Sequence, residues 1–104
     1  MAVQRFDTAG AAGFFDVLGG TERSQAATMT LDPGRSTGGP TNAHGASDQW
    51  LYVVSGTGTA IVEGERYDLE AGTLVLVEAG ETHEITNTGT DPLETINVYA
   101  PPEY

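Results

Sequence analysis

The chain carries two histidines, His44 and His83, and no cysteine. Imidazole binds Zn, Ni, Fe and Cu, and it exchanges protons near neutral pH. Without thiols, a metal must be held by nitrogen and oxygen donors, and neither a disulfide nor a thiol nucleophile is available. The two histidines lie far apart in sequence, so only a folded scaffold can bring them together. His44 closes a stretch, 32–45 (DPGRSTGGPTNAHG), built of turn-forming residues. A structureless loop of that length inside a small domain is either functional or disordered. Arg35 lies within it and is the cation placed to meet a ligand near His44. Other constellations fail. There is no HExxH, no phosphate-binding glycine loop and no nucleophile elbow. Gly56-Thr57-Gly58 lacks the third glycine and the helix of a dinucleotide fingerprint.

Charge narrows the partners. Fifteen acidic residues face four basic ones, all arginine, for a net charge of −11. Such a surface repels phosphate backbones and anionic lipid, so a small molecule is expected as partner, with no nucleic acid and no membrane. The balance fits a protein adapted to high salt, where screening removes the self-repulsion. No apolar run approaches the roughly 18 residues of a membrane helix, and the first residues show no basic-then-apolar leader. The expectation is a cytoplasmic protein.

The elements that must position the histidines are short. Clusters rich in β-branched and aromatic residues fall at 14–18, 26–31, 50–54, 59–62, 74–77, 84–86 and 95–99, between Gly, Pro, Asn and Asp punctuation. Their spacing predicts an all-β sandwich or barrel. The best helical candidate is a short turn near 8–15, weakened by Gly10 and Gly13. At 104 residues this is one domain. So small a core needs a closed sheet, a metal or a second subunit to support it.

The residues Gly72, Glu78, Gly80, His83 and Asn87 spell G-x5-E-x-G-x2-H-x3-N. This resembles the second motif of the cupin superfamily, G-x5-P-x-G-x2-H-x3-N, with Glu78 in place of proline. The first cupin motif, H-x-H, then E, then six residues and G, is matched more loosely. Asn42 and His44 take the two His positions, Gln49 takes the Glu position, and Gly56 closes it. The tail, 95–104 (TINVYAPPEY), resembles the closing strand of small single-domain cupins. The resemblance covers residues 25–104, with 1–24 as an N-terminal strand and turn extension.

The resemblance implies a double-stranded β-helix, or jelly-roll barrel, with a divalent metal in its mouth: Zn, Ni, Fe or Mn. The implied ligands are His44, Gln49 and His83, with Asn42 as a further candidate. Gln49 is neutral, so the carboxylate of a two-His, one-carboxylate set is missing, and a bound metal would attract an anionic or enolisable ligand. Asp48 is adjacent, but strand alternation sends it to the opposite face. If Gln49 points inward, Leu51 and Val53 line the cavity with it, while Trp50, Tyr52 and Val54 form an outer apolar face. That face calls for a cover, and a homodimer would supply it. The implied function is a metal-binding small cupin that binds or acts on a sugar-like molecule or an organic acid. Isomerisation or epimerisation, oxidative cleavage, ligand binding without turnover and a metal-free structural role all remain open, because fold does not choose among them.

Overall fold

The computed structural model describes residues 3–10, 13–37 and 45–104. After a single 3-10 turn, Thr8–Gly10, come eight strands: β1 (Phe15–Gly20), β2 (Gln25–Leu31), β3 (Asp48–Ser55), β4 (Gly58–Val62), β5 (Glu65–Leu69), β6 (Leu74–Val77), β7 (His83–Asn87) and β8 (Leu93–Ala100). They form a five-stranded sheet in the order β1-β2-β8-β3-β6 and a three-stranded sheet in the order β5-β4-β7. Every neighbouring pair is antiparallel. No α-helix occurs among the described residues.

Alternation decides what each strand buries. On β3, Gln49, Leu51 and Val53 are buried, while Trp50, Tyr52 and Val54 are exposed. The core lies between the sheets. Met29, Leu31, Leu51, Val53, Val77 and Leu93 come from the larger sheet, and Ala60, Val62, Leu69 and Ile85 from the smaller. Burying each large aliphatic side chain contributes about 1.5–3 kcal/mol relative to leaving it in water.

Three sequence expectations change in detail. Strand β5 (ERYDL) is absent from the apolar clusters because only Leu69 of its five residues is buried. Its register is set by the preceding turn, where Glu63 and Gly64 both have positive φ, 49° and 80°. That is the backbone of a two-residue hairpin whose twist matches the strands. The helical candidate shrinks to the 3-10 turn, and Phe15 already belongs to β1. The opening of the 32–45 stretch is paired to β7 rather than structureless. Gly34 N–H donates to Asn87 O, Thr37 N–H to Ile85 O, and Asn87 N–H to Arg35 O.

A groove of about 570 Å³ runs where β5 and β6, the outer strands of the two sheets, approach one another. Tyr67, Leu74 and Leu76 line it beside four carboxylates, Glu63, Glu65, Glu78 and Glu81. Thr82 donates to Glu63 from both its backbone N–H and its hydroxyl, at 2.9 and 2.8 Å. These bonds hold the Glu63 carboxyl below the usual carboxylate range.

Two residues fasten the turns at the end of the sandwich. Gly56 has φ of 91°, and a side chain there would collide with the Pro92 carbonyl. Asn87 is buried and is bonded on all sides. Its Nδ2 donates to Leu31 O and Asp91 O, each at 2.8 Å, and its Oδ1 accepts from Gly89 N–H at 2.9 Å. Replacing Asn87 with Ala leaves two carbonyls, that of Leu31 buried and that of Asp91 part-buried, and one part-buried amide without this partner. The expected loss is about 1–3 kcal/mol of stability for each group that water cannot reach. Urea unfolding of Asn87→Ala beside the exposed-site control Glu22→Ala measures it, and equal midpoints would contradict the role.

Candidate functional site

Gln49 and His83 come from different sheets and line one cavity of about 290 Å³. Gln49 is the second residue of β3, opposite Tyr99 on β8 and Val77 on β6. His83 is the first residue of β7, opposite Val62. Each is only 3% exposed. Thr37, Asn97, Tyr99 and Tyr104 add polar groups, while Phe14, Phe15, Met29 and Ile85 supply the apolar remainder. No acidic, lysine or arginine side chain lines the cavity among the described residues.

Gln49 Oε1 is buried without a hydrogen-bond partner among the described residues. Buried acceptors are almost always satisfied, and leaving one bare costs about 1–3 kcal/mol. A cation or a ligand donor at this oxygen would recover that cost.

Beside Gln49, on the next strand of the same sheet, runs a polar row on β8. Thr95, Asn97 and Tyr99 are buried on one face of the strand. Thr95 Oγ1 donates to Asn97 Oδ1 at 2.9 Å, and Asn97 Nδ2 donates to the Tyr99 hydroxyl at 3.3 Å. The Tyr99 hydroxyl in turn meets that of Tyr104. Burial is the main cause that pushes the Tyr99 phenol far above its ordinary range, against the lowering effect of the bond from Asn97.

The other sequence-predicted residues are placed as follows. Leu51 and Val53 share the inward face with Gln49 but sit deeper, fully buried in the core between the sheets. Arg35 lines a neighbouring cavity of about 430 Å³ with Asp32, Thr30 and Ser36. Phe14 is common to both cavities. Asn42 and His44 lie outside the described residues. Among the described residues no group of three or more His, Cys, Asp or Glu is arranged to hold a metal ion. Asp48 is occupied elsewhere, where its Oδ1 accepts from Ala79 N–H at 2.9 Å.

Asn97, Tyr99 and Tyr104 belong to the wall but to neither motif. One signal was present in TINVY, residues 95–99, where alternation separates Thr, Asn and Tyr from Ile and Val. The usual rule turns the aliphatic face inward, and here the polar face is the buried one.

The raised Tyr99 phenol gives a sign for alkaline stability. The folded protein keeps a proton that the unfolded chain releases near pH 10.0, the ordinary tyrosine value. Its contribution is complete below that pH and is lost as pH rises beyond it. Tyr99→Phe should therefore flatten the fall of stability above pH 10.0. Urea midpoints of wild type and variant on both sides of that pH check it, and parallel curves would count against the burial.

Comparisons with known proteins agree on the family. The cupin domain model matches residues 27–99. An oxalate-binding protein from Thermotoga maritima is 33% identical over 72 residues, 69% of this chain and 58% of that protein. The chain thus spans less than two thirds of that relative's length. A solved structure from Bacillus halodurans superposes with a TM-score of 0.87 at 26% identity, over 93% of this chain and 76% of that one. A predicted oxalate decarboxylase from Thermotoga maritima superposes with a TM-score of 0.71 at 30% identity, over 78% and 69% of the two chains.

Proposed function

The chain belongs to the cupin family, and from that premise we propose that the 290 Å³ cavity binds a small organic acid with a divalent metal as its receiving group. The observation that carries this reading is the bare, buried Gln49 Oε1 on a cavity wall shared with the His83 imidazole. An amide oxygen beside an imidazole is a donor pair that suits Zn, Ni, Fe or Mn. Gln49 and His83 would hold the ion, and the resemblance adds His44 and Asn42 at the remaining motif positions. The ion would supply positive charge to a carboxylate.

The chain's own residues favour the same ligand. Neutral walls impose no repulsion on an anion, whereas the outer surface, at −11 overall, does. The amide of Asn97 and the Tyr99 hydroxyl present hydrogen-bonding groups beside Gln49 on the same sheet, and Phe15, Met29 and Ile85 add apolar wall around them. The names oxalate-binding protein and predicted oxalate decarboxylase, both from Thermotoga maritima, point to the same chemical class. Binding without turnover is sufficient for this reading.

Titration calorimetry with Zn²⁺, Ni²⁺ and Mn²⁺, followed by oxalate, tests the site. Gln49→Glu places a charge on the metal and should tighten metal binding about tenfold or more, ~1.4 kcal/mol. The same charge should weaken oxalate binding to the loaded protein. Equal metal affinities in wild type and variant would remove Gln49 from the ligand set. Absence of any oxalate binding would overturn the acid reading.

The outer face of the larger sheet belongs to the same proposal. Trp50 and Tyr52, each 43% exposed, pair with Leu76 and Leu74 of β6 and, on the other side, with Val98 and Ile96 of β8. A second copy packed sheet to sheet would cover this apolar patch symmetrically. The expected species is a homodimer. Light scattering that shows a monomer at micromolar concentration would reject it.

A further inference from the structure

We infer that the cavity beside Arg35 is a second binding site, built for a zwitterion. Its ligand is a free α-amino acid with an apolar side chain, the carboxylate taken by Arg35 and the ammonium by Asp32. This site is separate from the cavity of Gln49 and His83, and it stands or falls independently of acid and metal binding there.

A single turn sets the spacing of the two charges. Asp32, Pro33, Gly34 and Arg35 link the end of β2 to the segment that pairs with β7. Arg35 N–H donates to Asp32 O at 3.0 Å, and Gly34 has φ of 83°. Proline second and a positive-φ glycine third are the pattern of a type II turn, which keeps the α-carbons of its first and last residues within about 7 Å. Both ends of the turn are anchored. Leu31, just before it, is buried and paired with Leu93 of β8. On the other side, Gly34 N–H donates to Asn87 O at 3.0 Å, and Arg35 O accepts from Asn87 N–H at 2.9 Å. The Ser36 hydroxyl then meets that of Thr86 at 2.8 Å. An acid and a base thus stand at a set distance on an anchored backbone.

Asp32 and Arg35 line one cavity of about 430 Å³ together with Thr30, Leu31 and Phe14. They do not pair with each other. Among the described residues no carboxylate comes within 4.0 Å of the Arg35 guanidinium. Arg66 and Asp68 on β5, by contrast, do make such a contact, at 3.8 Å. Both charges of the turn are therefore open to a ligand. A molecule with a single charge would be attracted by one of them and repelled by the other. A zwitterion answers both, and being neutral overall it meets no net repulsion from a chain at −11. The pairing follows from donor chemistry. A guanidinium forks onto a carboxylate, and a carboxylate accepts from an ammonium. Phe14, 58% exposed, adds an apolar surface to the same wall, which an apolar side chain of the ligand would cover. The volume is that of an ordinary small-molecule pocket and accommodates a whole amino acid.

Leucine is the probe, beside its two single-charge analogues. 4-Methylpentanoate lacks the ammonium, and 3-methylbutylamine lacks the carboxylate. Binding is read from NMR shifts of the Gly34 and Arg35 amides in the turn and of the Phe14 ring. Leucine should bind wild type about tenfold tighter than either analogue, the scale of one charge-assisted hydrogen bond. Asp32→Asn should bring leucine down to the level of 4-methylpentanoate, and Arg35→Gln to that of 3-methylbutylamine. Both residues are exposed and both replacements are close in size, so the fold should persist, and unchanged amide shifts away from the turn check this. Equal binding of the three probes to wild type would overturn the inference. So would leucine affinity unchanged in either variant, or leucine shifts absent from the turn and confined to His83 and Ile85 in the other cavity. Failure of the acid reading would look different, with no oxalate binding while leucine still shifts the turn.

Discussion

The site depends on the register of β8. This strand is hydrogen-bonded along both edges, to β2 and to β3, and lies at the centre of the five-stranded sheet. Because side chains alternate with a period of two, a slip of one residue would turn Thr95, Asn97 and Tyr99 outward and bring Ile96 and Val98 into the cavity. Pairing on both edges makes such a slip expensive. It would have to break two ladders together and remove Leu93 from the core. The polar wall is therefore as firmly placed as the hydrophobic core beneath it.

Much of this was legible in the sequence where hydrophobic pattern and motif spacing agree. QWLYVV, residues 49–54, reads directly as a strand with Gln, Leu and Val on one face, and the burial follows it residue by residue. His83 could be placed at the head of a strand from the turn before it, and Gly80 has the positive φ that this turn requires. Strand β5 was illegible because an edge strand with one buried residue has almost no apolar signature, and its backbone is directed by Glu63 and Gly64 instead. The tie between the Gln25 side-chain amide and the Tyr104 backbone, two hydrogen bonds of 2.6 and 2.9 Å, was invisible for another reason. It joins two polar residues distant in sequence through a side-chain amide, and no periodicity encodes such a contact. The depth of Leu51 and Val53 also lay beyond alternation, which assigns a face but not a distance from the cavity.

The charge distribution separates surface from site. The protein carries a net charge of −11, yet the described residues that wall the cavity between the sheets bring amides, hydroxyls, one imidazole and apolar groups. Carboxylates that line a cavity in number do so in the groove between β5 and β6. An anionic ligand thus meets repulsion on approach and none on arrival. The barrier at the surface is screened within about 8–10 Å at moderate ionic strength, so added salt should act on the rate of entry more than on what happens inside.

The groove between β5 and β6 has a meaning for how copies of the chain coexist in solution. Each of these strands is hydrogen-bonded on one side only, which leaves a row of backbone groups able to recruit a foreign strand. Leu74 and Leu76 would make such recruitment adhesive. Glu63, Glu65, Glu78 and Glu81 stand along the same opening, and any second molecule arriving there brings its own four. Like charges set along a sheet edge oppose edge-to-edge growth, an effect that requires no ligand. Glu63, bonded by Thr82, keeps its charge to lower pH than a free glutamate would.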